Sequence, residues 1–78
     1  MKSVTLYSQP ECPPCEVVKM FLKEQQIQYK EINIKENEQA RNYLVKELNS
    51  YSTPTITVDD EVISGFNLEA LMAALNRD

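Results

Sequence analysis

The chain has 78 residues, 42% of them hydrophobic and 26% charged, with twelve Asp and Glu against eight Lys and Arg for a formal net charge of −4. That length predicts a single domain, 1–78, with one thin core and no deep cavity of the kind that encloses a drug-sized ligand. The apolar share argues against disorder, the acidic balance without a basic cluster argues against nucleic acid, and no apolar run is long enough to span a membrane.

Val4-Thr5-Leu6-Tyr7 alternates apolar and polar residues of high β preference and predicts a strand. Ser8-Gln9-Pro10-Glu11 breaks it, since turn formers gather there and Pro10 restricts its predecessor. From Pro13 to about Gln26 the period becomes helical, with Val17, Val18, Phe21 and Leu22 on the expected buried face and Cys15 one turn back from Val18. Gln28 to Ile34 predicts a second strand through Tyr29, Ile32 and Ile34. Glu36 to Leu48 predicts a helix with Ala40, Tyr43, Leu44 and Leu48 on one stripe and Asn49 as its C-cap. Thr55–Val58 and Glu61-Val62-Ile63 flank Asp59-Asp60 as a tight hairpin. Ser64-Gly65 turns the chain, Asn67 is the expected N-cap, and Leu68, Leu71, Met72 and Leu75 mark a last helix. The order is β-α-β-α-β-β-α, an α/β class with a four-stranded mixed sheet flanked by three helices. Its first two strands should be parallel through a right-handed crossover and the hairpin antiparallel.

Histidine is absent, which removes Ser-His-Asp and Cys-His catalysis and His-ligated metals together. Cys12 and Cys15 are the strongest chemical residues that remain. A structural disulfide is a weak reading, because so short a loop gains little from closure. A closed zinc site needs four ligands and the chain supplies two, unless two chains share one. A CxxC pair beside a βαβ pattern is instead the signature of a redox couple. Cys12 falls at a helix entrance, where unpaired N–H groups and the dipole favour its thiolate as the nucleophile. Cys15, one turn inside, is placed to attack the resulting mixed disulfide and release the reduced target. Lys19 could steady a thiolate, but a solvated helix face is its simpler reading, as it is for the acids Glu11 and Glu16. Met1-Lys2-Ser3 leads directly into the first strand without an apolar targeting segment, so the expected compartment is the cytoplasm.

Cys12-Pro13-Pro14-Cys15 after Leu6-Tyr7-Ser8, Ser52-Thr53-Pro54 before a strand and Ser64-Gly65-Phe66 before the last helix together resemble the glutaredoxins over essentially the whole chain. The resemblance implies the thioredoxin fold and a thiol-disulfide oxidoreductase with no bound cofactor, recharged by glutathione or by thioredoxin reductase and NADPH. It implies a cis bond before Pro54, which by sequence alone is a strand-start breaker. It also implies a substrate paired like an added strand with the backbone of Thr53, and contacts from Pro13, Pro14, Gly65 and Phe66. Phe66 is equally readable as core filler. Gln9 stands where glutathione-using members place Lys, and Ser64-Gly65-Phe66-Asn67-Leu68 replaces their Gly-Gly and paired Asp. Ser-Gly-Phe is similar to the small redoxins that serve ribonucleotide reductase, so the expected partners are a disulfide-containing protein and a reductase, met by a monomer. The reading from another class is an iron–sulfur or metal carrier, with Cys12 of two chains bridging a cluster.

Overall fold

A computed structural model describes residues 3–50 and 53–76; Met1, Lys2 and Ser52 of the runs above lie outside the described residues, as do Tyr51, Arg77 and Asp78. The elements are β1 (Val4–Ser8), α1 (Pro13–Glu24), β2 (Lys30–Asn33), α2 (Glu38–Lys46), β3 (Thr55–Val58), β4 (Glu61–Ser64) and α3 (Leu68–Leu75). One sheet runs β2-β1-β3-β4, parallel between β1 and β2 and antiparallel elsewhere. The crossover through α1 makes the first pair parallel. The register sets Leu6 between Glu31 and Ile56, and Tyr7 between Ile32 and Thr55. Among the described residues no helix is long and apolar enough to cross a membrane.

Local chemistry fixes the ends of the helices. Pro13 and Pro14 take the first two positions of α1, where a missing N–H leaves no helical bond unmade. The other end closes as a Schellman turn: Gln26 takes φ 58, its N–H donates to the Lys23 carbonyl and the Ile27 N–H to the Leu22 carbonyl, both at 3.0 Å. This stops α1 at Glu24, two residues before the expected end. Asn37 caps α2 by accepting the Ala40 N–H at 3.0 Å, which starts that helix at Glu38 and not at Glu36. Its C-cap is Glu47, and the expected cap Asn49 lies just beyond in the left-handed region at φ 53. Asn67 caps α3 as expected. The second strand begins at Lys30, later than the sequence predicts.

The core joins Val4, Leu6, Ile56, Val58 and Ile63 of the sheet to Val18 and Leu22 of α1 and Leu71 and Ala74 of α3. Helix α1 buries Cys15, Val18 and Leu22, spaced three and four residues apart on one face. Val17, expected inside, is about a quarter turn away and is 44% exposed. Met72 and Tyr43, also expected on buried stripes, are exposed. The Tyr43 ring still meets Tyr7 with centroids 6.5 Å apart, within the range of a favourable aromatic pair. Burial first, then Tyr43, pushes the Tyr7 phenol above its ordinary pKa.

Candidate active site

The end of β1, the loop after it and the first turn of α1 present the two cysteines. Glu11 takes φ 58, and Cys12 follows in extended conformation at φ −121, ψ 90 as the N-cap of α1. The Cys12 carbonyl accepts the Glu16 N–H at 3.2 Å, and the Cys12 Sγ accepts the Cys15 N–H at 3.2 Å. The sulfur therefore occupies the place that a Ser or Asp oxygen usually fills at a helix N-terminus. Cys12 and Cys15 form a disulfide, with Cα atoms 5.2 Å apart. Their surroundings differ: Cys15 is fully buried, and Cys12 keeps 9% exposure.

A second loop meets this one. The Thr53–Pro54 bond is cis, as the resemblance implies, and the Thr53 hydroxyl donates to the Cys12 sulfur at 3.6 Å. Pro54 is buried, and its carbonyl accepts the Gly65 N–H at 2.9 Å. Gly65 takes φ 80, a backbone conformation that side chains disfavour. The structure thus brings Cys12, Cys15 and Thr53 into contact and ties Pro54 to Gly65. Pro13 and Pro14 stand exposed on the first turn of α1. Phe66 is 53% exposed, which rules out the core-filler reading for it.

An open groove of about 610 Å³ lies beside Cys12, lined among others by Gln9, Glu11, Glu16, Lys19 and Glu31. Lys19 Nζ sits 2.8 Å from Glu16 Oε2 and 2.7 Å from Glu31 Oε2. The buried Ser8 hydroxyl donates to the same Glu31 oxygen at 2.8 Å. The Lys19 hydrogen bond holds the Glu31 carboxyl below its usual range, with help from Ser8 and against a desolvation cost. Bonds to Glu16 and Glu31 hold the Lys19 ammonium above its usual range. Lys19 is therefore neither a free helix-face lysine nor a partner of the sulfur: it joins α1 to β2. Glu16 belongs to this bridge as well.

Sequence reasoning missed the polar residues that support the site. Ser8 and Glu31 meet only because β1 and β2 pair, and Ser50 touches Thr55 and Ser64 through its hydroxyl. Nothing local marks Glu31, since Lys30 and Asn33 of the same strand are polar too, or Ser50, which stands among turn formers. Among the described residues no group of three or more His, Cys, Asp or Glu is placed to hold a metal ion. Chemically, the arrangement offers a disulfide whose first sulfur caps a helix from a residue that keeps 9% exposure, while the second belongs to a fully buried residue. A helix terminus favours the anionic form of a cap sulfur after reduction.

A family model described as Glutaredoxin matches residues 4–63. The glutaredoxin-like protein NrdH of Lactococcus lactis subsp. cremoris is 40% identical over 63 residues, covering 81% of this chain and 86% of that protein. A mutant form of the thioredoxin-like protein BC3987 superimposes with a TM-score of 0.93 at 46% identity, over 100% of both chains. The NrdH-redoxin of Escherichia coli superimposes with a TM-score of 0.83 over 91% of this chain and 92% of that one; at 20% identity it speaks for the fold alone. The architecture is the thioredoxin-like α/β fold.

Proposed function

The chain belongs to the glutaredoxin family and is a thiol-disulfide oxidoreductase, and we propose that it reduces protein disulfides through the Cys12-Pro13-Pro14-Cys15 couple. In the dithiol form the Cys12 thiolate attacks one sulfur of the target disulfide. The target's S–S bond breaks, its other sulfur leaves as a thiolate that takes up a proton, and Cys12 is joined to the target. Cys15 then loses its proton, attacks Cys12 and expels the second target thiol, so the target gains two electrons and Cys12–Cys15 becomes the disulfide. The observation that carries this reading is the asymmetry of the pair: Cys12 is the N-cap and keeps 9% exposure, whereas Cys15 lies one turn inside and is fully buried. Pro13, Pro14 and Phe66 supply exposed contact surface. Thr53 supplies the backbone edge on which an extended substrate pairs, and Pro54 and Gly65 hold that edge in place.

The protein works as a monomer in the cytoplasm and is recharged by thioredoxin reductase in preference to glutathione. Three positions support that choice. Gln9 offers no positive charge where a tripeptide carboxylate would need one. Ser64 carries a side chain where a glycine would allow close approach. Leu68 packs half-buried against the core at the start of α3, and so is no polar partner. The similarity to NrdH proteins makes ribonucleotide reductase the protein substrate to try first. The test is a coupled assay on one protein disulfide, comparing thioredoxin reductase and NADPH with glutathione and its reductase at equal thiol supply. Faster turnover with thioredoxin reductase is expected, and a clear advantage for glutathione would overturn the choice of donor.

A further inference from the structure

We infer that Ser50 is a positioning residue for substrate docking, fixing the Thr53-Pro54 segment from behind; the inference rests on the docking role proposed for that segment. Ser50 lies beyond the end of α2 and is 1% exposed. Its N–H donates to the Leu44 carbonyl at 3.0 Å, which anchors it to that helix. Its Oγ stands 2.7 Å from Thr55 Oγ1 and 2.9 Å from Ser64 Oγ. A hydroxyl donates once and accepts twice, so the central Ser50 can donate to one neighbour and accept from the other.

The two neighbours are telling. Thr55 is fully buried and directly follows Pro54, while Ser64 directly precedes Gly65. The Gly65 N–H in turn holds the Pro54 carbonyl at 2.9 Å. Ser50 therefore ties the end of α2 to both segments that meet the substrate, at the residue next to each. The sulfurs are held by other contacts, the helix cap and the Thr53 hydroxyl. Removing the Ser50 hydroxyl leaves the Cys15 N–H on the cap sulfur in place and loosens the edge on which an extended substrate must pair. Such a change raises the ordering cost of docking, so it falls on binding more than on the chemical step.

The test compares the parent with Ser50→Ala, Ser64→Ala and the double variant, using insulin as protein disulfide and hydroxyethyl disulfide as a small one. Ser50→Ala should raise KM for insulin about three-fold or more, in line with the loss of one buried and one half-buried hydrogen bond, while kcat and the rate on the small disulfide stay within two-fold. Ser64→Ala should move KM the same way by less, and should add nothing in the Ser50→Ala background. A lower melting temperature with an unchanged KM shows a merely structural role and overturns the inference. So does an equal loss on both substrates. If Ser50→Ala does not fold, the exposed Ser64 decides alone: a raised KM in Ser64→Ala supports the clasp and an unchanged one overturns it. Amide exchange at Thr53 in a peptide mixed disulfide of Cys15→Ser separates docking at Thr53 from the role of Ser50. No protection in the parent defeats the docking reading itself, whereas protection that Ser50→Ala leaves intact defeats only the role of Ser50.

Discussion

The Thr53 hydroxyl and the Cys12 sulfur, 41 positions apart in the chain, meet at 3.6 Å with the hydroxyl as donor. With the Cys15 N–H at 3.2 Å, that gives the sulfur two donors, one from the first turn of α1 and one from the loop before β3. Hydrogen bonds strengthen when their acceptor is charged, so both favour a thiolate over a thiol or a disulfide. Thr53→Val keeps the shape and removes one donor. The thiolate absorbance of the reduced variant should titrate at higher pH than in the parent, and its couple should become more reducing. An unchanged titration and potential would show that the hydroxyl does not act on the sulfur.

The two sulfurs should also differ in what they trap. Cys15→Ser leaves the less buried cap sulfur without its resolving partner, and should accumulate a stable mixed disulfide with a model substrate. Cys12→Ser leaves only a buried thiol and should form none. Mass spectrometry after mixing reads both, and equal trapping by the two variants would falsify the division of roles.

Much of this site was legible in the sequence because its chemistry is local. Cys12, Pro13, Pro14 and Cys15 share one helical turn, and a strand followed by a proline-opened helix places that turn without knowledge of the rest. Thr53, Pro54 and Gly65 were reachable only through family resemblance, since they approach the cysteines through the sheet and not through local spacing. Ser50, Ser8 and Glu31 were not legible at all. A hydroxyl bridge has no periodicity, and the partner of Glu31 is decided by how α1 lies across β2. The errors on Val17, Tyr43 and Met72 share one cause: a helix in so small a domain buries a stripe narrower than its apolar residues suggest, because little core exists to cover it.

The Lys19 bridge should appear in the pH dependence of stability. Lys19, and to a lesser degree Ser8, lower the folded-state pKa of Glu31, against about 4.3 in the unfolded chain. A group with a depressed folded pKa stabilises the fold above its unfolded pKa and loses that contribution as pH falls through the folded value. The Glu31 side chain is 38% exposed and that of Lys19 28%, so solvent screening keeps the effect small. Glu31→Gln should cost about 0.3–1 kcal/mol at neutral pH and low salt. The gap between variant and parent in urea unfolding should shrink on acidification below pH ~4 and on addition of salt. A gap that persists in acid would assign the loss to packing.

Gln26 offers a stabilising change remote from the cysteines. It is exposed, and its φ of 58 puts a side chain where the Schellman turn favours glycine. Gln26→Gly relieves that strain at some cost in unfolded-chain entropy, and should raise stability by about 0.5–1 kcal/mol. Urea unfolding reads it directly. Destabilisation would mean that the Gln26 side chain contributes more than its backbone costs.

Pro14 should set the redox poise. At a helix entrance the N–H groups after the cap face the cap acceptor, but Pro13 and Pro14 have none. The Cys15 N–H is therefore the first that can reach the Cys12 sulfur, and it does so at 3.2 Å. Glu11 and Glu16, on either side of the pair, add like charge that works against a thiolate. Pro14→Tyr supplies one further donor at the second helical position. Pro14 is exposed, so the change removes no core packing, and its stability cost is limited to the lost restriction on φ, about 0.4–1 kcal/mol. The added donor favours the thiolate, which stabilises the dithiol form relative to the disulfide. The thiolate absorbance should then titrate at lower pH and the reduction potential, read by equilibration with a reference dithiol couple, should rise with it. The two shifts are tied by one cause, so a potential that moves without the titration, or a variant in which neither moves, would show that the missing N–H does not tune this site.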